Sequence, residues 1–259
     1  MSYSSQSHQP AAQATQFTLP PALPPNAQKH LLPITLPQGS CFALIIDNFL
    51  TPAECTSLLS AAEAKGPWEL AMVNIGYGRQ KVLTDVRNCG RIIFDTEEIS
   101  EQLFERLKPI LSEFEIDHIG PRESEKGKRW TGLRSACTGE EWRMTRLNER
   151  LRFLKYSEGE YFRPHTDGTY HTPSGSERSF LTFHVYLGPN GEDCKGGATR
   201  FFFRDNEDSW NDVEPVQGRV LVFQHAHLMH SGEEMESGTK YTVRSDVMYE
   251  RVPKEEDGW

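Results

Sequence analysis

The chain has no apolar run long enough to span a bilayer, no C-x-x-C pair, no long basic stretch and no repeat at a solenoid period. Each absence removes a class. Without about 20 consecutive apolar residues there is no candidate membrane helix. Five scattered cysteines (Cys41, Cys55, Cys89, Cys137, Cys194) give neither a zinc ribbon nor an even disulfide framework, and fit thiols in a reducing compartment. A net charge of −9 argues against sequence-independent nucleic-acid binding, which needs a cationic surface. The N-terminus lacks the basic start and apolar block of a secretory signal and the arginines of a transit peptide. The expected location is cytoplasm or nucleus, with no membrane and no nucleic-acid partner. Residues 1–38 also lack acids, carry Lys29 as their one Lys or Arg, and hold seven of the sixteen prolines. Such a stretch has little apolar surface to offset its ordering entropy. It is expected to be a disordered tail, with Leu31–Leu36 as the part that could lie along the fold.

What remains, 259 residues with a globular composition, suits one large domain over 39–252, followed by a short acidic tail over 253–259. Phe42-Ala-Leu-Ile-Ile46 reads as a buried strand. Thr51-Pro52-Ala53-Glu54 is a helix start, with an N-cap Thr, Pro at the first position and Glu three residues on. That helix runs to about Lys65 and stops at Gly66-Pro67. Trp68 to Asn74 suggests a strand. Asp95-Thr-Glu-Glu98 is a second capping box, opening a helix to about Phe114 with Ile99, Leu103, Leu107, Ile110 and Leu111 on one face. Residues 117–142 are polar and predict a long surface loop. From Leu147 onward, short β-rich runs at 151–156, 179–187, 198–203, 219–224 and 240–249 alternate with turns. This pattern predicts a mainly β sandwich or jelly roll, with the earlier helices covering an outer face.

The β half carries the chemistry. In Tyr161-Phe-Arg-Pro-His165-Thr-Asp167-Gly168, an imidazole and a carboxylate stand two residues apart, on one face of an extended chain. Together they can chelate a divalent metal. A distant histidine would complete a facial set of two histidines and one carboxylate with open positions, the ligand set of non-haem iron(II) oxygenases. Three histidines compete for that place: His225 and His227, which directly follow the strand 219–224, and His230. We favour His230 because a turn and a cationic strand follow it. In that strand Lys240, Thr242 and Arg244 share a face. No acid is read beside either cation on that face, so an anionic ligand is the expected partner. The competing reading puts both cations on the solvent face of an edge strand.

Taken in order, these blocks resemble the catalytic domain of the prolyl 4-hydroxylase-type Fe(II)/2-oxoglutarate dioxygenases. The similar segments are Leu151-Arg-Phe-Leu-Lys-Tyr156 through Gly168, Arg178-Ser-Phe-Leu-Thr182-Phe-His-Val-Tyr186, Gly196-Gly197-Ala-Thr199-Arg-Phe, Pro215-Val-Gln-Gly218-Arg-Val-Leu-Val-Phe223, and His230 through Tyr249. Ile46-Asp-Asn-Phe-Leu with Glu54-Cys resembles how many members begin. The resemblance covers about residues 41–250. It implies a double-stranded β-helix with the catalytic core at about 147–250, iron(II) on His165, Asp167 and His230, and Lys240 as the cation for 2-oxoglutarate. Arg244 departs from the pattern and could share that task or grip substrate. Tyr156, Thr182 and Tyr186 are implied to line the co-substrate pocket; ordinary core packing is the alternative for these three.

The implied reaction is hydroxylation of a protein substrate, such as a prolyl residue, or of a small molecule. It would consume O2, release succinate and CO2, and use L-ascorbate as reductant. Asp167 must be ionised and both histidines neutral, so activity should fall in acid. Two other classes compete: a cupin-like metal enzyme that does not use 2-oxoglutarate, and a non-catalytic binding module on the same fold. The loop 117–142 and the segment after Asp167 are expected to cover the mouth of the site.

Overall fold

The computed structural model describes residues 17–36, 39–76, 79–120, 140–188, 194–203 and 209–253. Among these, two helices and two large facing sheets set the architecture. The major, ten-stranded sheet runs in the order Gln28–Leu31, Ala43–Asp47, Val220–Gln224, Glu177–Gly188, Thr239–Arg251, Arg150–Ser157, Gly90–Asp95 and Glu69–Leu70. Trp142–Leu147 adds to the far end of Thr239–Arg251, and His118–Ile119 pairs with it in turn. The minor sheet runs Trp210–Val213, Thr199–Phe202, His230–Gly232, Tyr161–His165 and Arg87–Asn88. All these pairings are antiparallel. The two sheets form the jelly roll of a double-stranded β-helix.

Strand periodicity sorts the major sheet into two chemistries. Leu151 and Phe153, Phe183 and Val185, and Val243 and Val247 point to one face and are fully buried in the largest apolar cluster. The same cluster takes in Leu58 and Ala62 of α1 (Pro52–Glu63) and Leu103, Leu107 and Leu111 of α2 (Glu97–Glu113). Alternate residues on the same strands point the other way. Cross-strand pairing aligns Arg152 with Arg244 and His184, Leu154 with Thr242 and Tyr186, and Tyr156 with Lys240. That inner face looks toward the minor sheet. A second apolar cluster of Ala43, Ile45, Leu221, Phe223, Phe201 and Val213 fills one end of the space between the sheets. Val220–Gln224 lies under both clusters, which explains its unbroken apolar run.

α1 begins as its sequence predicts. Thr51 accepts from the Glu54 amide, Pro52 occupies the first turn, and Glu54 accepts from the Thr51 amide at 2.8 Å. The helix ends at Glu63, short of Lys65. α2 is shifted by one residue: its N-cap is Thr96, which accepts from Ile99, rather than Asp95. Asp95 is instead the last residue of a strand and forms a two-pronged pair with Arg150 across the sheet, at 2.8 and 2.9 Å. The Trp68–Asn74 segment divides into two short strands, Glu69–Leu70 and Val73–Asn74.

The reading of residues 1–38 as a disordered tail is corrected for 17–36. Gln28–Leu31 pairs with Ala43–Asp47, and Phe17, Leu19, Ile34 and Leu36 are buried. The segment's few apolar residues are spent at defined places, and its backbone is tied down by α2. Gln102 accepts from the Leu19 amide, and buried Arg106 donates to the carbonyl oxygens of Pro20 and Phe49 while pairing with Glu54 at 2.9 Å. Low charge and high proline content therefore mark an extended strap here. Residues 1–16, most of the expected loop (121–139) and most of the acidic tail (254–259) lie outside the described residues. No helix among the described residues is long and apolar enough to cross a membrane.

Candidate metal centre and its two cavities

His165 closes the strand Tyr161–His165, and His230 opens the strand His230–Gly232. The two residues are cross-strand partners in the minor sheet, with ring centroids 4.4 Å apart. Asp167, two residues past His165, reaches between them. Its Oδ1 is 3.7 Å from His165 Nε2, and its Oδ2 is 3.7 Å from His230 Nε2. One potential ligand atom from each residue lies within 4.8 Å of the others.

Both imidazoles are oriented from behind. His165 Nδ1–H donates to the Arg163 carbonyl oxygen at 2.8 Å, and His230 Nδ1–H to that of Leu228 at 3.1 Å. This assignment leaves an unprotonated Nε2 on each ring, aimed at the shared space. Phe162 stacks on His165 at 3.6 Å, and Phe223 meets His230 edge-on at 4.8 Å. Burial, then neighbouring His230, holds the His165 pKa down at about 3. Burial also lowers that of His230. Burial opposes ionisation of Asp167, but Arg244 and the surrounding histidines outweigh it, so its carboxyl lies well below the usual range. Two neutral imidazoles and one carboxylate are therefore ready at neutral pH, and the donor set fits a divalent ion.

The other two histidines of the 218–232 segment lie elsewhere. His225 is buried against Asp246 at 3.8 Å, with neither ring nitrogen hydrogen-bonded, and His227 is exposed in a left-handed conformation.

An inner cavity of about 40 Å³ extends from the triad toward Tyr156 and Lys240. Lys240 is buried, donates to the Gly197 carbonyl oxygen, and places its ammonium 4.5 Å from the Tyr156 ring centre. Burial pulls its pKa down to about 8. Gly197 has φ +71°, and a Cβ there would meet Met235 Sδ at 2.2 Å and Lys240 Nζ at 3.3 Å. Only glycine allows that close approach. His184 Nε2 is buried without a hydrogen-bond partner, and His184 lines the same cavity.

Arg244 requires a correction. An acid does lie beside it on its own face: Asp246 follows at i+2. Arg244 Nη2 is 3.8 Å from Asp246 and 2.9 Å from Asp167. Lys240, buried and flanked by Gly238 and Thr242 at i±2, is the cation of this strand that calls for an anionic partner. Thr182 donates to Asp167 Oδ2 and so steadies the carboxylate. Tyr186 bonds Thr199 Oγ1 at 2.6 Å inside the apolar cluster, and it is Thr199 that lines the cavity.

An outer cleft of about 580 Å³ opens on the other side of the triad, between the inner face of the major sheet and the Val73–Asn74/Gln80–Lys81 hairpin. Gly168, Thr169 and Tyr170 border it, as expected of the segment after Asp167. Its arginines, Arg87, Arg91 and Arg152 among them, escape the sequence reading. Arg152 could have been found, because it shares the period-2 face of Leu154 and Tyr156. His184 could too, standing midway between Thr182 and Tyr186. Arg87 and Arg91 lie in strands that the sequence reading does not assign.

Residues 151–245 match the 2OG-Fe(II) oxygenase superfamily. No curated protein matches the chain. Among solved structures, a prolyl hydroxylase from Trichoplax adhaerens, in complex with a hypoxia inducible factor oxygen degradation domain peptide fragment, is 17% identical with a TM-score of 0.51. The match covers 79% of this chain and 82% of that one, and it supports the shared fold. A Pseudomonas putida prolyl-4-hydroxylase is 17% identical over 87% of this chain and 92% of that one, with a TM-score of 0.48. The viral collagen prolyl hydroxylase of Paramecium Bursaria Chlorella virus-1, in its 2OG complex, is 19% identical over 80% and 96%, with a TM-score of 0.47.

Proposed function

We infer that this chain, whose residues 151–245 match the 2OG-Fe(II) oxygenase superfamily, works as an iron(II)- and 2-oxoglutarate-dependent hydroxylase. The observation that carries this reading is the convergence of His165, Asp167 and His230, with both Nδ1 atoms tied to backbone carbonyls. When bound, iron(II) and 2-oxoglutarate supply oxygen activation, with the oxo acid leaving as succinate and CO2 and L-ascorbate as reductant.

The chain's part is to hold and orient. His165 and His230 offer Nε2 lone pairs. Asp167 keeps lone pairs free on oxygens already fixed by Thr182 and Arg244, because each carboxylate oxygen has more than one acceptor direction. Lys240, at the end of the inner cavity, offers an ammonium to the distal carboxylate of the co-substrate, a charge-assisted contact. Tyr156 and His184 bound the same space. A metal enzyme without 2-oxoglutarate would leave buried Lys240 without a role. The protein or small-molecule substrate, a prolyl side chain among the protein candidates, enters by the outer cleft. The catalytic domain we propose spans 39–252, with residues 17–36 strapped to it.

The test is anaerobic addition of iron(II) and then 2-oxoglutarate. A visible charge-transfer band requiring both is expected. Tight binding of another metal with no such band would reject the reading. Asp167→Ala should abolish iron-dependent succinate formation, and unchanged turnover would remove Asp167 from the ligand set.

A further inference from the structure

The outer cleft contrasts with the rest of this acidic chain. Arg91, on Gly90–Asp95, and Arg152, on the neighbouring Arg150–Ser157, both line it, and Arg87 borders it from the minor sheet. Arg91 pairs across the sheet with Leu154, one step along the same inward face from Arg152. Their charges are unevenly answered. Arg152 has Asp246 at 3.0 Å, but Asp246 is shared with Arg244. Arg87 stacks on the Phe162 ring at 4.5 Å and reaches Cys89 Sγ at 3.4 Å, with no carboxylate in either contact. Arg91 is buried, and its hydrogen bond is to the neutral Gln80 Oε1 at a long 3.5 Å. Its cross-strand partner Glu69 is the one carboxylate acting on it, and the two form no ion pair. Burial, then repulsion from Arg87, lowers its pKa despite the pull of Glu69.

A buried guanidinium facing other guanidiniums is unfavourable unless an anion joins them. The planar fork of arginine is shaped for a carboxylate. The cleft has the size of a small-molecule site and reaches His165 and Asp167.

We propose that the substrate carries a carboxylate, held jointly by Arg91 and Arg152, with the carbon to be oxidised extending from there toward the metal centre. This rests on the hydroxylase reading and names its substrate class. Arg91 and Arg152 set specificity, while the metal ligands and Lys240 serve any substrate. A free organic acid and an acidic peptide side chain both supply this group.

The test uses the full chain under anaerobic conditions with iron(II) and saturating 2-oxoglutarate, titrated calorimetrically. The probes are adipate and the matched peptides Ac-Ala-Glu-Pro-Ala-NH2 and Ac-Ala-Gln-Pro-Ala-NH2. At least one acidic probe should bind, about tenfold tighter than the glutamine peptide. Its affinity should fall about tenfold in Arg91→Gln and again in Arg152→Gln, and its salt dependence should flatten. Binding of adipate alone assigns the site to a free acid, and binding of the glutamate peptide alone assigns it to an acidic peptide. Should Arg91→Gln fail to fold, Arg91→Lys keeps the charge without the fork and should bind with intermediate affinity. Equal binding of all three probes, binding of none, or full acid preference in the folded variants would overturn the proposal. The charge-transfer band is read in the same samples. If it persists while acid preference is absent, only this inference fails; if it is missing, the hydroxylase reading fails.

Discussion

The two faces of the major sheet are made by the same strands and do opposite work. Outward, Phe153, Val185 and Val243 pack against α1 and α2 with almost no solvent exposure and no polar atom to satisfy. Inward, their neighbours Arg152, His184 and Arg244 line cavities, and His184 Nε2 and Arg244 Nε are buried without hydrogen-bond partners. The outer face has its partners within the chain, whereas the inner face keeps polar capacity in reserve for molecules that are not part of it. A strand with period 2 can thus separate stability from chemistry by a single residue step.

Substitutions should break along that line. The largest effect is expected from His230→Ala, which removes one of the proposed metal ligands. Succinate formation should drop by at least ~10³-fold, while the melting temperature moves by only a few degrees, because the lost ring borders a cavity. Next comes Phe153→Ala on the outer face, which should cost about 3–5 kcal/mol in denaturant unfolding and leave turnover per folded molecule near normal. A loss of turnover there without a loss of stability would break the division of labour. Lys240→Met should raise the 2-oxoglutarate KM by roughly 100-fold with stability unchanged or improved, since a buried ammonium gives way to an apolar chain of similar length. A marked drop in stability would mean that Lys240 belongs to the packing.

The effect that is smallest per unit step, and the most diagnostic, concerns pH. Burial, then Lys240 and Arg244, holds the His184 pKa at about 3, against an ordinary 6.5. His165 is lowered to about 3 as well. In that window the unfolded chain binds more protons than the folded one, so stability must decline as pH falls from about 6.5 toward 3. Each such histidine contributes at most about 1.4 kcal/mol per pH unit. Asp167, also lowered, adds loss of the same sign below the ordinary carboxylate value of 3.8. Urea titrations across this range should show a shallower slope in His184→Leu. An identical slope would remove His184 from the set of buried neutral rings.

Much of this was legible because it is local. The Thr51 cap, the alternation in Thr239–Arg251 and the two-residue spacing of His165 and Asp167 all depend on neighbours along the chain. His230 was favoured over His225 and His227 by the turn and cationic strand that follow it; the geometric distinction, a cross-strand partnership with His165, is visible only once the minor sheet is assembled. The strap at 17–36 was missed because composition averages over a segment. Arg106 and Gln102 hold it at a few points, and no composition registers those. The acid beside Arg244 is local as well: period 2 puts Asp246 on the same face.

The pairing of His165 with His230 also bears on synthesis. Tyr161–His165 meets His230–Gly232 only after an intervening stretch that holds the Glu177–Gly188 and Val220–Gln224 strands of the other sheet. Contacts between such distant segments form late, because the loop they close must first lose its freedom. A chain emerging from the ribosome therefore carries His165 and Asp167 well before His230 can join them. Under the proposed function, full-strength iron capture would double as a report that both sheets are in place, and a half-made chain would be spared a centre that handles oxygen.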